Sequence, residues 1–386
     1  MRIERLEARL VNVPLRTEQR TSFSTRRAMT QCLVRATADD GRVGWGEASG
    51  GAGGWAPACR AIVEAMRDVV IGRAPDELPA MRAELFDARY WKNAGRLAHM
   101  SFGAVETALL DLEAQRRGAP LWRLLGEKLR DEVDVFAFLD RSLPVDALAG
   151  QAAEAEARGF RVLYLKIGLD DAADLACVRA VRQAVRPATR LRVDANGAWT
   201  VTHAVRMIGA LAPFGLDFVE QPTPLDDLAA LAEVRRAVAV PICANEVAWH
   251  PAEWREVLRQ AAADVLCVNV AWCGGPTRML EVARMAAARG VGLVRHTIDV
   301  GINDYAALHV LAVAPGAVDG HQFMATHLGD DVLTGGPLIS GGRPLRVPEA
   351  PGLGAPVSEA KVRELEERFR IEGNATAFSW TKGDST

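Results

Sequence analysis

Six polar residues stand where short apolar runs end within this 386-residue chain. Lys166 ends YLK, Asp194 ends RVD, Glu220 ends DFVE and Glu246 ends CANE; Asn269 lies in CVNVAW and His296 in VRHTID. The first four are spaced 194 − 166 = 28, 220 − 194 = 26 and 246 − 220 = 26 residues apart. Each interval is one strand–helix unit long, so the residues reach the same height on neighbouring parallel strands. Three carboxylates at one height repel unless a cation lies among them. Any one alone reads as a solvated strand-end charge; the regular trio Asp194, Glu220 and Glu246 points to a hard divalent ion, with Mg2+ expected. Lys166, on the adjoining strand, is then a candidate general base, its pKa lowered by metal and polar neighbours. His296, across the pocket, is a candidate second acid or base. The other histidines read as structural, with His321 a partial exception because it ends the eighth run. Such a set can remove a proton from the carbon beside a carboxylate: the metal steadies the resulting enediolate while the base takes the proton. Reprotonation then gives an epimer, and loss of a β-leaving group gives an elimination product.

Placing these residues takes a regular alternation of elements. After Leu125, eight strand-like runs, from VDVFAFLD to VDGHQFM, are separated by seven helical patterns. With no Gly-rich first turn, this favours a closed barrel over an open doubly wound sheet. The earlier residues read as strands joined at DDG and then helices, an α+β unit. VSEAKVRELEERF is a further amphipathic helix, expected to pack back on that unit. The fold expected is α/β, a modified (β/α)8-type, TIM-like barrel with an α+β cap. Its expected parts are a cap over 1–127, the barrel over 128–345 and a returning segment over 346–386.

Composition bounds the function classes. At 49% hydrophobic and 25% charged, the chain can bury a large core without disulfides or a structural metal. A net charge of 46 − 49 = −3 argues against nucleic acid as a partner. No apolar run approaches the roughly 18 residues of a membrane span. The N-terminus lacks the apolar core of a signal peptide. Six scattered cysteines without a CxxC pair read as reduced, buried thiols, and the expected location is the cytoplasm.

In combination, LKIG with Lys166, VDAN with Asp194, VEQP with Glu220, NEV with Glu246, CGGPT with Gly274 and Gly275, and RHT with His296 resemble the enolase superfamily, in its mandelate racemase and muconate lactonising branch. The likeness covers almost the whole chain. It implies Mg2+ on Asp194, Glu220 and Glu246, Lys166 as base on one substrate face, His296 as acid or base on the other, and Asn196 one step removed from the metal. It also implies a small-molecule carboxylate substrate and a homo-oligomer. Three positions depart from the family pattern. Tyr164 replaces a lysine often found two residues before the base, and its phenol can hydrogen-bond substrate. Asn269 replaces the aspartate that pairs with the histidine in the mandelate racemase type, so His296 is less basic and better suited to donation toward a leaving hydroxyl. The glutamate of the eighth strand is absent, with His321 or Gln322 in its place.

Specificity is expected from cap loops. Arg16, Arg20, Arg26 and Arg27 lie in one, and an arginine there can clamp a distal carboxylate, favouring a diacid sugar; solvated arginines are the competing reading. Trp55 follows a Gly-rich stretch of lid type, while Trp199 and Trp272 wall the pocket or pack in the core. Tyr164, Asn196, Asn269, His321, Arg16, Arg20 and Trp55 are therefore the candidate substrate contacts. The expected activity is dehydration of an acid sugar to a 2-keto-3-deoxy acid. The alternatives are a racemase or epimerase on the same substrates and a non-catalytic binding protein that kept the fold.

Overall fold

Alternating apolar residues in the first 48 positions build an antiparallel meander. β1 (Ile3–Arg20) pairs with β2 (Ser24–Ala38), and β2 with β3 (Val43–Ala48). The computed structural model describes the backbone of residues 1–20, 24–49 and 54–378, with side chains throughout except at 19, 20, 24, 92, 93 and 376–378. Gly41, at φ 85°, makes the turn into β3 that the DDG sequence anticipates. Helices α1 (Ala56–Ala65), α2 (Arg67–Val70), α3 (Leu78–Ala83), α4 (Gly95–Arg116) and α5 (Trp122–Leu125) follow. α4 is buried along most of its length because it lies directly on β3. Gly44 and Gly46 permit that approach: a Cβ at either would collide with the carbonyls of Ala108 and Ala104.

The second region opens with a short strand, β4 (Glu132–Val133), and then forms a curled parallel sheet. Its strands are β5 (Ala137–Leu139), β6 (Val162–Lys166), β7 (Arg190–Asp194), β8 (Leu216–Glu220), β9 (Ile242–Ala244), β10 (Val265–Val268) and β11 (Gly292–Arg295), adjacent in sequence order. Between and after them run α6 (Val145–Ala157), α7 (Asp171–Ala184), α8 (Val201–Leu211), α9 (Leu228–Ala237), α10 (Pro251–Arg259), α11 (Pro276–Ala287) and α12 (Gly301–Val313). Strand alternation sends Leu163, Leu165, Leu191, Val193 and Val219 outward into the core shared with the helices. The intervening residues, Tyr164, Lys166, Arg192, Asp194, Phe218 and Glu220, face the interior.

The eighth run is not a ladder strand. It makes isolated bridges, Leu293↔Ala317 on one side and Val135↔His321 on the other, and so joins the two edges of the sheet. Gly320 turns at φ 83°, and the His321 ring accepts the Arg295 N–H at 3.0 Å, a bond that a strand carbonyl would ordinarily accept. This is the modified closure of an otherwise barrel-like sheet. β12 (Leu345–Arg346) then pairs back on β4.

The C-terminal segment returns to the first region. α13 (Glu359–Glu372) lies on β1, where Arg9 donates to Glu359 at 3.0 Å and to Glu366 at 3.0 Å. β13 (Thr376–Phe378) extends the sheet along β2. The cap and barrel are tied through buried Glu47 of β3, which accepts the N–H groups of Val300 (2.7 Å) and Asn303 (3.1 Å) at the start of α12. A carboxylate suits that end of a helix. No helix among the described residues is long and apolar enough to cross a membrane.

Candidate active site

The pocket lies at the C-terminal ends of the parallel strands, where barrel geometry gathers side chains from several elements. Lys166, Asp194 and Glu220 are the last residues of β6, β7 and β8, and consecutive pairs are Cα partners in the ladder. Glu246 follows β9 by two residues. Lys166 Nζ donates to Asp194 and, at 2.7 Å, to Asn196 Oδ1. Asn196 Nδ2 donates to Glu246 Oε1 at 3.0 Å, and its backbone N–H donates to Asp194 Oδ1 at 2.7 Å. Asn196 therefore links base and carboxylates, and it does so in the left-handed region at φ 44°, a conformation Asn tolerates better than most residues.

Charge explains the protonation states. Burial works against the Lys166 ammonium, but Asp194, Glu220 and Glu246 together outweigh it and raise its pKa. Nearly half of the Lys166 side chain, 46%, is open to solvent from the pocket mouth. Burial and the Asp194 charge push Glu246 up to about 7. Burial, with Cys267 and Asp194 nearby, also holds Glu220 well above the usual carboxylate range. Glu246 Oε2 is buried without a hydrogen-bond partner. Asp194, Glu220 and Glu246 act on one another electrostatically, although their oxygens do not all lie within 4.8 Å of one another, and one oxygen is orphaned; drawn together, these hard oxygens fit a divalent cation of the Mg2+ type. Lys166 is their counter-ion in this structure.

Tyr164 does not open to the pocket. It is 2% exposed, donates to Asp194 Oδ2 at 2.6 Å and stacks on Phe136 at 4.5 Å. Its phenol thus steadies the Asp194 carboxylate from below. Asn269 is equally committed: its Oδ1 accepts from Ala271 (2.8 Å) and Trp272 (3.0 Å), and its Nδ2 donates to Asp299 at 2.6 Å. The substrate contact expected of Asn269 is thereby replaced by a turn-forming role. His321, 2% exposed and bonded to Arg295, closes the barrel rather than facing a substrate.

His296 is held by packing instead of charge. Its ring lies 4.5 Å from that of Trp272, and its Nδ1 is buried with no hydrogen-bond partner among the described residues. Burial, together with the positive charges of Lys166 and Arg295, pushes its pKa down to about 3, so the imidazole is neutral. The Trp272 ring lies 3.7 Å from that of Trp249, tilted by 38°, and Trp249 meets Trp55 at 6.3 Å. Trp55 of the cap is therefore joined to His296 by an aromatic wall. Arg96 braces it, 4.9 Å from the Trp249 ring and bonded to the Glu246 carbonyl at 3.1 Å. The sequence reading missed Trp249 and Arg96; Trp249 lies three residues past Glu246, and that proximity was the available signal.

The arginines separate. Arg16 is exposed on β1 and makes no ion pair among the described residues, whereas Arg27 donates to Glu18 at 2.9 Å. The Arg20 side chain lies outside the described residues, as do positions 50–53 of the Gly-rich stretch. Trp199 is buried at 2% exposure.

A cap over a curled parallel sheet, with a lysine and three carboxylates on successive strand ends, defines a class of metal-assisted carbon-acid enzymes. Residues 5–126 match the mandelate racemase / muconate lactonizing enzyme N-terminal domain and residues 147–361 the enolase C-terminal domain-like family, so the chain belongs to the mandelate racemase and muconate lactonizing branch of the enolase superfamily. It is similar to D-galactarolactone cycloisomerase of Agrobacterium fabrum, 32% identical over 86% of this chain and 90% of that one. An isomerase from Streptomyces coelicolor has a similar structure, with a TM-score of 0.85 and 30% identity over 97% of this chain and 99% of that one. The dipeptide epimerase of Enterococcus faecalis, solved with Mg and the dipeptide L-Leu-L-Tyr, superposes with a TM-score of 0.81 and 26% identity over 92% of this chain and 100% of that one.

Proposed function

We propose that the protein is a Mg2+-dependent enzyme that removes the proton α to the carboxylate of an acid sugar and collapses the enediolate by β-elimination. The observation that carries this reading is the asymmetry of the pocket. Lys166 lies among three carboxylates and Asn196, whereas His296 opposite has no acid partner and a neutral ring. Bound Mg2+ would hold the substrate carboxylate and offset the pull of Asp194, Glu220 and Glu246 on the Lys166 proton. Lys166, once neutral, takes the α-proton into its lone pair, and the C–H electrons move into the enediolate. The β C–O bond then breaks with its electron pair on oxygen. His296 hydrogen-bonds the departing oxygen, a task open to a neutral imidazole. Asn196 and Tyr164 position Lys166 and Asp194 for these steps.

If the departing oxygen is a hydroxyl, it takes up a proton from the Lys166 ammonium or from solvent and leaves as water, and the enol left behind is protonated at C3 to give a 2-keto-3-deoxy acid. The likeness to a galactarolactone cycloisomerase favours a second reading, in which the departing oxygen belongs to a lactone ring and the product is an isomer. Epimerisation needs an effective base on both faces, and the unpartnered His296 speaks against it. Incubation of the Mg2+-loaded protein with aldonates, aldarates and their lactones, followed by a keto-acid assay and mass measurement, tests this. A keto acid lighter by one water supports dehydration, and one of unchanged mass supports ring opening. Turnover confined to interconversion of epimers, or to dipeptides, overturns the proposal.

A further inference from the structure

Beneath the rim of carboxylates the barrel changes character. The next inward-facing residues of β9 and β10 are Cys243 and Cys267, packed with Phe218 and Val294 in a small apolar cluster of their own. Glu220 and Cys243 are Cα partners across β8 and β9. Among the described residues, Glu220, Cys243 and Cys267 are the one set of three potential ligands whose donor atoms all lie within 4.8 Å of one another. All three are buried, and both cysteines are free thiols. Below them Arg192 lies 4.6 Å over the Phe218 ring and pairs with Asp217 at 2.7 Å.

Two sulfurs and one carboxylate oxygen are the donor chemistry of a thiophilic cation. Mg2+ selects oxygen and keeps its waters, whereas Zn2+ and Cd2+ accept thiolates readily. In a tetrahedral zinc site with bonds near 2.0–2.3 Å, donors sit roughly 3.3–3.8 Å apart, so from the 4.8 Å within which they lie here at most about 1.5 Å of side-chain closure is required.

We propose that Glu220, Cys243 and Cys267 form a second, soft-metal site directly under the oxygen-lined one, and that a thiophilic divalent cation bound there takes Glu220 away from Mg2+. Binding replaces the two S–H bonds with S–metal bonds and releases the thiol protons to solvent. The two sites share one ligand, so their occupancies oppose each other. Contamination by zinc would then silence the enzyme reversibly, with a chelator restoring it. The proposal shares Glu220 with the functional reading but needs no substrate, so the two can fail separately.

The test is a titration of the metal-free full-length protein with Cd2+, following the sulfur-to-cadmium charge-transfer absorption in the ultraviolet and the metal retained after desalting. One retained ion per chain is expected, with the absorption band. In Cys243→Ala and in Cys267→Ala, each checked for folding by circular dichroism, affinity should drop by more than the roughly 10–100-fold typical of losing an outer partner of a metal ligand. Cys177→Ala, at a buried thiol on α7, should leave the band intact. Mg2+ binding heat should disappear from the Zn2+-loaded protein and return on chelation. Absence of retained cadmium in the wild-type chain overturns the proposal, as does a band that persists in both variants. Undiminished Mg2+ binding to the Zn2+-loaded protein contradicts the shared ligand.

Discussion

The two walls of the pocket differ in kind. On the Lys166 wall the polar side chains form a charged network in which Asn196 touches the base, Asp194 and Glu246 within 3.0 Å. On the His296 wall the neighbours are Trp272 and Trp249, and among the described residues no carboxylate bonds the imidazole. A proton can be taken and returned where charge is tunable, which is the first wall. The second offers shape, a neutral hydrogen-bonding group and apolar cover. The comparison teaches that a barrel with reactive groups on both sides need not be a two-base enzyme.

Removing the base should break this contrast most. Lys166→Ala is expected to lower kcat about 10²–10⁴-fold, measured with saturating Mg2+. Retention of more than a tenth of the activity would show that the charged wall does not carry the chemistry. Tyr164→Phe removes only the hydroxyl that bonds Asp194. It should weaken Mg2+ binding or turnover by about 10–100-fold, read by calorimetry and steady-state kinetics. An unchanged metal affinity would leave Tyr164 a mere packing residue.

The opposite wall can be tested by adding the missing acid. Asn269→Asp places a second carboxylate against Asp299, where the Asn269 amide now donates at 2.6 Å. It should destabilise the fold by about 1–3 kcal/mol in urea titrations, without conferring epimerisation. Gain of epimerase activity would mean that the histidine awaited only its partner.

A further effect concerns pH. His296 is neutral in the fold down to about 3, while a histidine in the unfolded chain protonates near 6.5. The unfolded state therefore binds more protons below 6.5. The stability this group confers is present above that pH and is lost as pH falls from 6.5 toward 3. Relative to His296→Gln, the wild-type chain should lose stability across that window; parallel curves would refute the neutral assignment.

Much of this contrast was legible in the sequence, but unevenly. The interval of 26–28 residues between strand ends brings Lys166, Asp194 and Glu220 into register because one βα unit is a nearly constant length. The fold class followed from the same rhythm. Tyr164 shares a strand face with Lys166 by simple alternation, so its inward direction was readable, but its bond to Asp194 was not. The Asn269 commitment depends on a turn formed by Ala271 and Trp272, which no periodicity reveals. The eighth run read as a strand because it closes the regular series of strand–helix units, yet Gly320 and the His321 ring divert its backbone bonds. The aromatic wall joins residues 55, 249 and 272, distant in sequence and gathered only by packing of the cap on the barrel.

The most direct test of one-sided chemistry is proton NMR in D2O with Mg2+ and each C2 epimer of a turned-over acid sugar, comparing Lys166→Ala with His296→Asn. The account predicts that Lys166→Ala exchanges the C2 proton of neither epimer, while His296→Asn still exchanges that of the reactive one. Persistent exchange of one epimer by Lys166→Ala, and of the other by His296→Asn, would contradict it.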